Sequence, residues 1–298
     1  MPTEESPQQE LLAPGLYLVA TPIGNLEDIT LRALRVLRTV DRIACEDTRQ
    51  TQKLLNHYGI TTPTVSLHEH NEAGRTSELI ADLLGGERIA VVSDAGMPGI
   101  SDPGMFLTRA AIDAEIPVYP VPGANAALSA LIGSGLDTGR FLFLGFLPPK
   151  TTARRSDLEK LKSGLNEPTT LIFYEAPHRI LEGLVDIERA WGPACKVVVA
   201  RELTKLHEEF LRGTVKEVRE ALGSRERVRG EMVLLVEAHP AAATGAESIS
   251  LQSRIAELKH CEGLDEMDAL KRIARERGIS KSEAYRELQR EKKFTLTR

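Results

Sequence analysis

Between Ser93 and Gly104 the chain reads Ser-Asp-Ala-Gly-Met-Pro-Gly-Ile-Ser-Asp-Pro-Gly, with three glycines and two prolines directly after an apolar run at 89–92. Such a segment cannot continue a helix or a strand, and its glycine backbone can close on a ligand without Cβ interference. The chemistry on offer is main-chain recognition. Three more segments stand in the same position after an apolar run: Thr21-Pro22-Ile23-Gly24-Asn25, Glu46-Asp47-Thr48-Arg49 and Pro122-Gly123-Ala124-Asn125. The carboxyl ends of the strands of an open parallel sheet form its ligand crevice, so four such ends would meet around one site. The plain alternative is four β-to-α turns chosen only for tightness.

Several familiar chemistries are absent. There is no G-x-x-x-x-G-K-[ST] phosphate loop and no G-x-G-x-x-G after the first strand; Gly133-Ser-Gly135 follows a helical segment. There is no G-x-S-x-G nucleophile elbow, and His207-Glu208-Glu209 lacks the second histidine of a zinc helix. His68 and His70 would share one face of a strand, but without a third ligand His70 reads as a hydrogen-bonding group and no metal is called for.

The elements that must position these segments are legible in the periodicity. Apolar runs at 16–20, 42–45, 64–67, 88–93 and 117–121 alternate with helical spacing such as Ile29/Ala33/Leu37/Val40. Repeated strand and helix predict an α/β domain with a mostly parallel sheet over residues 14–137. Runs at 141–146, 169–174, 196–201 and 232–237 predict a second α/β domain over 138–238, with the glycine-rich stretch at 133–139 marking the join. Residues 239–250 are small and polar and read as a linker. Over 251–298, helical spacing of Leu264, Leu270, Ile273 and Ala274, a Gly278 turn and a Ser280/Glu283 capping box predict a helix-turn-helix-like tail. A plain αα-hairpin fits the same spacing.

The chain has 298 residues, 42% hydrophobic and 27% charged, which suits a folded protein of about two domains and excludes disorder for the bulk. Three cysteines without a C-x-x-C pair give no disulfide framework, which fits a reducing cytoplasm. No secretion signal and no membrane span are expected. The net charge of −5 is uneven: 251–298 carry 12 basic against 9 acidic residues. Residues 150–162 hold a second excess, Lys150, Arg154, Arg155, Lys160 and Lys162 against Asp157 and Glu159, for which a solvated helix face is the simplest reading.

Taken in order, Thr21-Pro-Ile-Gly-Asn25, Glu46-Asp-Thr-Arg49, His68-Glu-His-Asn71, Ser93-Asp-Ala-Gly-Met-Pro-Gly99, Pro122-Gly-Ala124 and Tyr174-Glu-Ala-Pro-His-Arg179 resemble the bacterial 16S ribosomal RNA (cytidine-2′-O)-methyltransferases. These belong to the tetrapyrrole methylase superfamily of S-adenosylmethionine-dependent enzymes. The resemblance runs from about residue 16 to residue 237, and the Glu-Asp-Thr-Arg and Tyr-Glu-Ala-Pro-His-Arg strings point to the RNA branch. Ser93-Asp94-Ala95 stands where porphyrin-modifying relatives have Gly-Asp-Pro, and the tail is similar to the helix-turn-helix segment of many RNA-branch members. The resemblance implies a methyl donor bound between two α/β domains, a homodimer, and donor contacts from Ile23, Ser93, Asp94, Met97, Gly123, Ala124, Tyr174, Ala200 and Arg201. The RNA partner would be 16S ribosomal RNA in the small subunit.

Methyl transfer from a sulfonium to a ribose oxygen mainly requires donor and acceptor to be held in line. A base that takes the hydroxyl proton adds about 10² to 10⁴-fold. Asp47, Glu46, His70 and Glu175 are candidates, with Asp47 preferred, although an ion pair with Arg49 would account for it equally well. Arg49, Arg179 and Arg201 suit phosphates, and further RNA contacts are expected from Arg154, Arg155, Lys271, Arg272 and Lys281. Two other functions fit parts of the chain. A porphyrin- or corrin-type methylase would not need the basic segments, and a DNA-binding regulator would have to work against the acidic body.

Overall fold

The computed structural model describes residues 12–68, 71–240, 251, 255–256, 258–259, 264–276, 281, 284–286 and 288. The chain divides into two compact units, Met1–Ala238 and His239–Arg298. The first holds two five-stranded sheets.

In the first sheet β1 (Gly15–Val19), β2 (Arg42–Cys45), β3 (Thr64–Ser66), β4 (Arg88–Val92) and β5 (Val118–Val121) lie in the order β3-β2-β4-β1-β5, every pairing parallel. Alternation along the strands fills both faces. Tyr17, Val19, Ile43, Cys45, Ala90 and Val92 pack with α1 (Leu31–Thr39) and α2 (Thr48–His57). Leu16, Ala44, Ile89 and Val91 pack with α3 (Glu72–Leu84) and α4 (Met105–Asp113). Burial on both sides is what gives these strands continuous apolar runs.

In the second sheet β6 (Phe141–Phe146), β7 (Thr169–Glu175), β8 (Lys196–Arg201), β9 (Glu209–Thr214) and β10 (Met232–Ala238) lie in the order β6-β7-β10-β8-β9. Only β6 and β7 are parallel here; the other three pairings are antiparallel, so this sheet departs from the parallel expectation. The short return at 202–208 forces β9 to run against β8, and β10 enters between β7 and β8 in the opposite sense. One face is covered by α6 (Thr151–Gly164), α7 (Ile180–Trp191) and α8 (Val215–Gly223).

The other face is covered by α5 (Ala126–Ser134), which follows the first sheet in sequence. Ala127, Ala130 and Leu131, on one side of α5, pack on Ile172, Val198, Val233 and Leu235. A Cβ at Gly133 would lie 2.6 Å from the Phe210 ring, so β9 presses on the end of this helix. The turn at 133–139 separates the domains in sequence, while in packing α5 already belongs to the second sheet.

In the tail unit α9 (Glu266–Glu276) is accompanied by helical residues at 251, 255–256 and 258–259 and at 281, 284–286 and 288. Leu251, Ile255, Leu258, Ala269, Leu270, Ile273, Ala274, Ala284 and Leu288 form its core. The helical residues at 251, 255–256 and 258–259 are additional to the two expected helices, and Ser280 and Glu283 of the expected capping box lie outside the described residues. Most of the expected linker, 241–250, also lies outside them. Among the described residues no helix is long and apolar enough to cross a membrane.

Candidate active site

The four loops singled out in the sequence do stand at the carboxyl ends of β1, β2, β4 and β5. Two of them are stitched together. Thr21 and Gly96 exchange backbone hydrogen bonds of 2.9 and 3.0 Å, and the Thr21 hydroxyl donates to the Ser93 carbonyl at 3.1 Å. The far end of the 93–104 loop is pinned by Glu72, whose Oε1 accepts the Gly104 N–H at 3.1 Å. Gly96 has φ 84° and Gly104 φ 118°, left-handed values that a side chain resists.

Facing these loops, the second sheet supplies the ends of β7 and β8 and the start of β10. The register pairs Met232 with both Glu175 and Arg201, which brings all three strands to one edge. Between the two walls lies a cavity of about 400 Å³, within the range of small-molecule sites. Its lining is mainly apolar, with Ile23, Met97, Ala200, Leu203, Met232 and Val233, interrupted by Ser101, Asp102, Asn125, Tyr174, Glu175 and Glu231. A bulge in the β6–β7 pairing, at Gly145 with φ 64°, accompanies the entry of Phe146 into the wall, where its ring meets that of Tyr174 edge-on at 5.7 Å.

Of the residues expected to hold the donor, Ile23, Met97, Tyr174 and Ala200 line this cavity. Ser93 is buried, and its hydroxyl donates back to the Gly96 carbonyl at 3.2 Å, shaping the loop from beneath. Asp94 is exposed beside the second loop, its Oδ1 accepting the Asp47 N–H at 3.4 Å. Gly123 and Ala124 stand behind the lining residues Asn125 and Ala126. A Cβ on Gly123 would lie 2.8 Å from Ala20 Cβ, so that site requires glycine to close the packing. Arg201 turns away, pairing with Glu209 at 3.0 Å, and together with Arg225 holds the Glu209 carboxyl down at about 2.

Three of the candidate bases lie among the described residues, in three different environments. Asp47 caps α2, accepting the Arg49 N–H at 2.8 Å, and its carboxylate is gripped by the Arg49 guanidinium at 3.2 and 3.0 Å. That grip lowers its pKa and makes it a weak base, and it is not among the lining residues. These contacts are those of the alternative set out for Asp47, a cap and ion pair that shape the loop. Glu46 lies outside the lining as well, and acts on the site through its charge. Glu175 lines the cavity but is buried, with Oε1 accepting the Ala176 N–H at 2.9 Å and standing 3.4 Å from Arg179 Nε as an ion pair; burial raises its pKa and these partners oppose the rise. His68 lies beyond β3, in the turn into α3, and His70 lies outside the described residues.

The site residue that sequence reasoning passed over is Asp102. Burial first, then the charges of Glu46 and Asp94, push its carboxyl up to about 6. The signal was its place in the same glycine-rich loop. Among the described residues no three His, Cys, Asp or Glu side chains converge as a metal-ligand set.

The basic residues also sort themselves. Arg154, expected at an RNA surface, is only 1% exposed, its Nε donating to Asp186 at 2.6 Å and Nη2 reaching Glu182 at 3.2 Å. Arg155 binds the other Asp186 oxygen at 2.6 Å, and Lys162 donates to the Ala190 carbonyl at 2.6 Å, so only Lys150 and Lys160 of the cluster stand exposed and outside this packing. Arg179 donates inward to the Leu147 carbonyl. In the tail Lys271, Arg272 and Lys281 are exposed, with Lys271 joined to Asp268 at 2.6 Å.

Comparison with known proteins places this architecture. The family described as Tetrapyrrole (Corrin/Porphyrin) Methylases matches residues 15–219. "Ribosomal RNA small subunit methyltransferase I" of Halalkalibacterium halodurans is 48% identical over 296 residues, covering 96% of this chain and 98% of that protein. The protein of the same name from Synechocystis sp. is 47% identical over 271 residues, covering 91% and 95%. The crystal structure of uroporphyrin-III C-methyltransferase from Thermus thermophilus, complexed with S-adenyl homocysteine, shares the fold at a TM-score of 0.51 and 18% identity, over 74% of this chain and 96% of that one. The chain belongs to the tetrapyrrole (corrin/porphyrin) methylase family and, within it, to the group of these ribosomal RNA methyltransferases.

Proposed function

We propose that the chain transfers a methyl group from S-adenosylmethionine to the 2′-oxygen of a cytidine ribose in 16S ribosomal RNA, leaving S-adenosylhomocysteine. The observation that carries this reading is the extent of the likeness: a match 48% identical overall spans 96% of the chain, so it runs beyond the 15–219 methylase segment and into the tail. A porphyrin-type methylase gives no account of that extension.

The cavity fits the donor. Apolar walls at Ile23, Met97, Leu203 and Val233 suit an adenosine, and Gly96 brings main-chain groups to the edge, where a Cβ would lie 3.3 Å from Ile23 Cγ2. The donor supplies an electrophilic methyl group when bound. What the chain contributes is position, from loops stitched by the Thr21–Gly96 pairing and from the aromatic wall of Tyr174 and Phe146. Incubation of the protein with labelled S-adenosylmethionine and small ribosomal subunits from an unmodified strain should place label on a ribose of the RNA; label in protein or none at all refutes the reading.

We expect a homodimer working in the cytoplasm, where its substrate is found. Exposed Met105 and Phe106 of α4 and Phe141, Leu142 and Phe146 of the edge strand β6 are apolar surface that a second copy would cover. The tail is proposed as an RNA contact. A chain ending at Ala238 keeps the first compact unit entire, so it should fold and bind the donor as the full chain does. Its RNA affinity should fall, and log affinity against log salt should lose about 0.7 to 0.9 in slope for each phosphate contact removed. Equal affinities and slopes would leave the tail a packing module.

A further inference from the structure

The Ile23 loop is held from two sides. Within its own domain it is tied by the Thr21–Gly96 pairing, and beyond Ile23 it meets the turn at 202–208 that joins β8 to β9. Thr204 Oγ1 accepts the Asn25 N–H at 3.1 Å, a bond that crosses between the two α/β domains. Beside it Gly24 lies against the Lys205 side chain: a Cβ at Gly24 would stand 2.5 Å from Lys205 Cγ and 3.1 Å from the Leu203 carbonyl oxygen. Leu203 and Ile23 line the cavity from opposite domains and share one core cluster, so this contact sets the spacing of two walls of the site.

The turn is built to present that hydroxyl. Glu202 has φ 52° and Thr204 φ 63°, left-handed values that cost a non-glycine residue free energy, a β-branched one most of all. Hydrogen bonds maintain them. Glu202 donates its N–H to the Glu231 carbonyl at 2.9 Å and accepts the Glu231 N–H at 3.0 Å, while Glu208 accepts the Thr204 N–H at 2.6 Å. Lys205 Nζ bridges Glu202 at 3.0 Å and Glu231, itself in the cavity lining, at 2.8 Å. Beyond Leu203 these bonds serve no core packing, since Thr204 and Lys205 are half-buried and Leu206 at the tip is 93% exposed. We propose that Thr204 is a positioning residue of the methyl-donor site, acting through the Ile23 loop, with Lys205 as the surface on which Gly24 is set; the assignment rests on the function proposed above. Thr204 is not itself among the lining residues, so its effect reaches the donor only through the wall it holds. The bond is a clasp between the domains, and tight donor binding requires it fastened.

The test uses the full-length protein. Thr204→Val keeps the shape and the β-branching, hence the strain, and removes only the acceptor; Thr204→Ser restores it. Gly24→Ala breaks the same contact from the other domain. S-adenosylmethionine affinity by calorimetry should fall about 10-fold in Thr204→Val, the scale of one N–H left without its partner, and return to within about threefold of wild type in Thr204→Ser. Gly24→Ala should lose a similar factor, and the double variant Gly24→Ala/Thr204→Val should be no more than about threefold weaker than the worse single one, because both break one contact. In methylation of unmodified small subunits the donor KM of Thr204→Val should rise by the factor its affinity loses, with kcat within about threefold of wild type. The urea midpoint without donor should stay at the wild-type value. Donor affinity of Thr204→Val within about threefold of wild type, no recovery in Thr204→Ser, additive losses in the double variant, or a urea midpoint that falls together with the affinity would overturn the assignment. A wild type that binds no S-adenosylmethionine overturns instead the function on which it rests.

Discussion

Replacing Arg154 with alanine is expected to lower the unfolding free energy by about 3 kcal/mol, and Asp186→Ala by about 5 kcal/mol, without changing how folded protein binds RNA. Arg154 and Asp186 are both buried, and the 2.6 Å bond between them joins α6 to α7. Removing either leaves a charge where water cannot solvate it. The arginine variant is the milder because Arg155 still holds the second Asp186 oxygen, whereas Asp186→Ala leaves Arg154 with the mainly exposed Glu182. The double replacement Arg154→Met/Asp186→Leu should cost less than either alone, since a buried pair exchanged for apolar volume is often neutral. Urea unfolding curves measure all three. A stable Arg154→Ala protein whose RNA affinity loses salt slope would restore this arginine to the RNA surface.

The second large effect concerns the donor. Gly96→Val should weaken S-adenosylmethionine binding at least 100-fold, about 2.7 kcal/mol. A β-branched residue at φ 84° is a conformational outlier, and its Cβ would stand 3.3 Å from Ile23 Cγ2 in the cavity wall. Relief requires breaking the two hydrogen bonds to Thr21, which moves both loops. The measurement is thermal stabilisation by the donor, which follows the ratio of ligand concentration to Kd. Gly59→Val is the control: it has φ 62° and nothing within 4 Å of its Cβ position, so it should lose stability and keep the donor response. Undiminished stabilisation of Gly96→Val would remove this cavity as the donor site.

Strand positions were legible wherever a strand is buried on both faces, as β1, β4, β8 and β10 are, because a continuous apolar run has no other use in a chain this charged. β9 escaped notice because it is a sheet edge, with Glu209, Arg212 and Thr214 along it. The direction of β10 was not legible at all, since an apolar run reads the same for either sense of pairing. Arg154 was misjudged by charge alone, though its spacing with Leu158, Leu161 and Leu165 places it on the apolar side of α6. The donor loops were read from glycine and proline, whose backbone requirements are local. Asp102 was not, because its surroundings arise from burial and from Glu46, brought in by the end of β2, together with Asp94 of its own loop.

The position of α5 has a consequence for synthesis of the chain. All five strands of the first sheet have been made once residue 121 has left the ribosome, and they can close their own cores. The next segment, Ala-Ala-Leu-Ser-Ala-Leu-Ile-Gly-Ser, is almost wholly apolar, and the surface it covers is built from β7, β8 and β10. The nascent chain therefore carries an uncovered greasy helix throughout the making of the second sheet, until Ala238 emerges. Transiently exposed apolar surface of this kind is what chaperones bind and what aggregates form from. Slow translation over 140–238 would prolong that interval, and so it is there, rather than in the first sheet, that the yield of native protein would be decided.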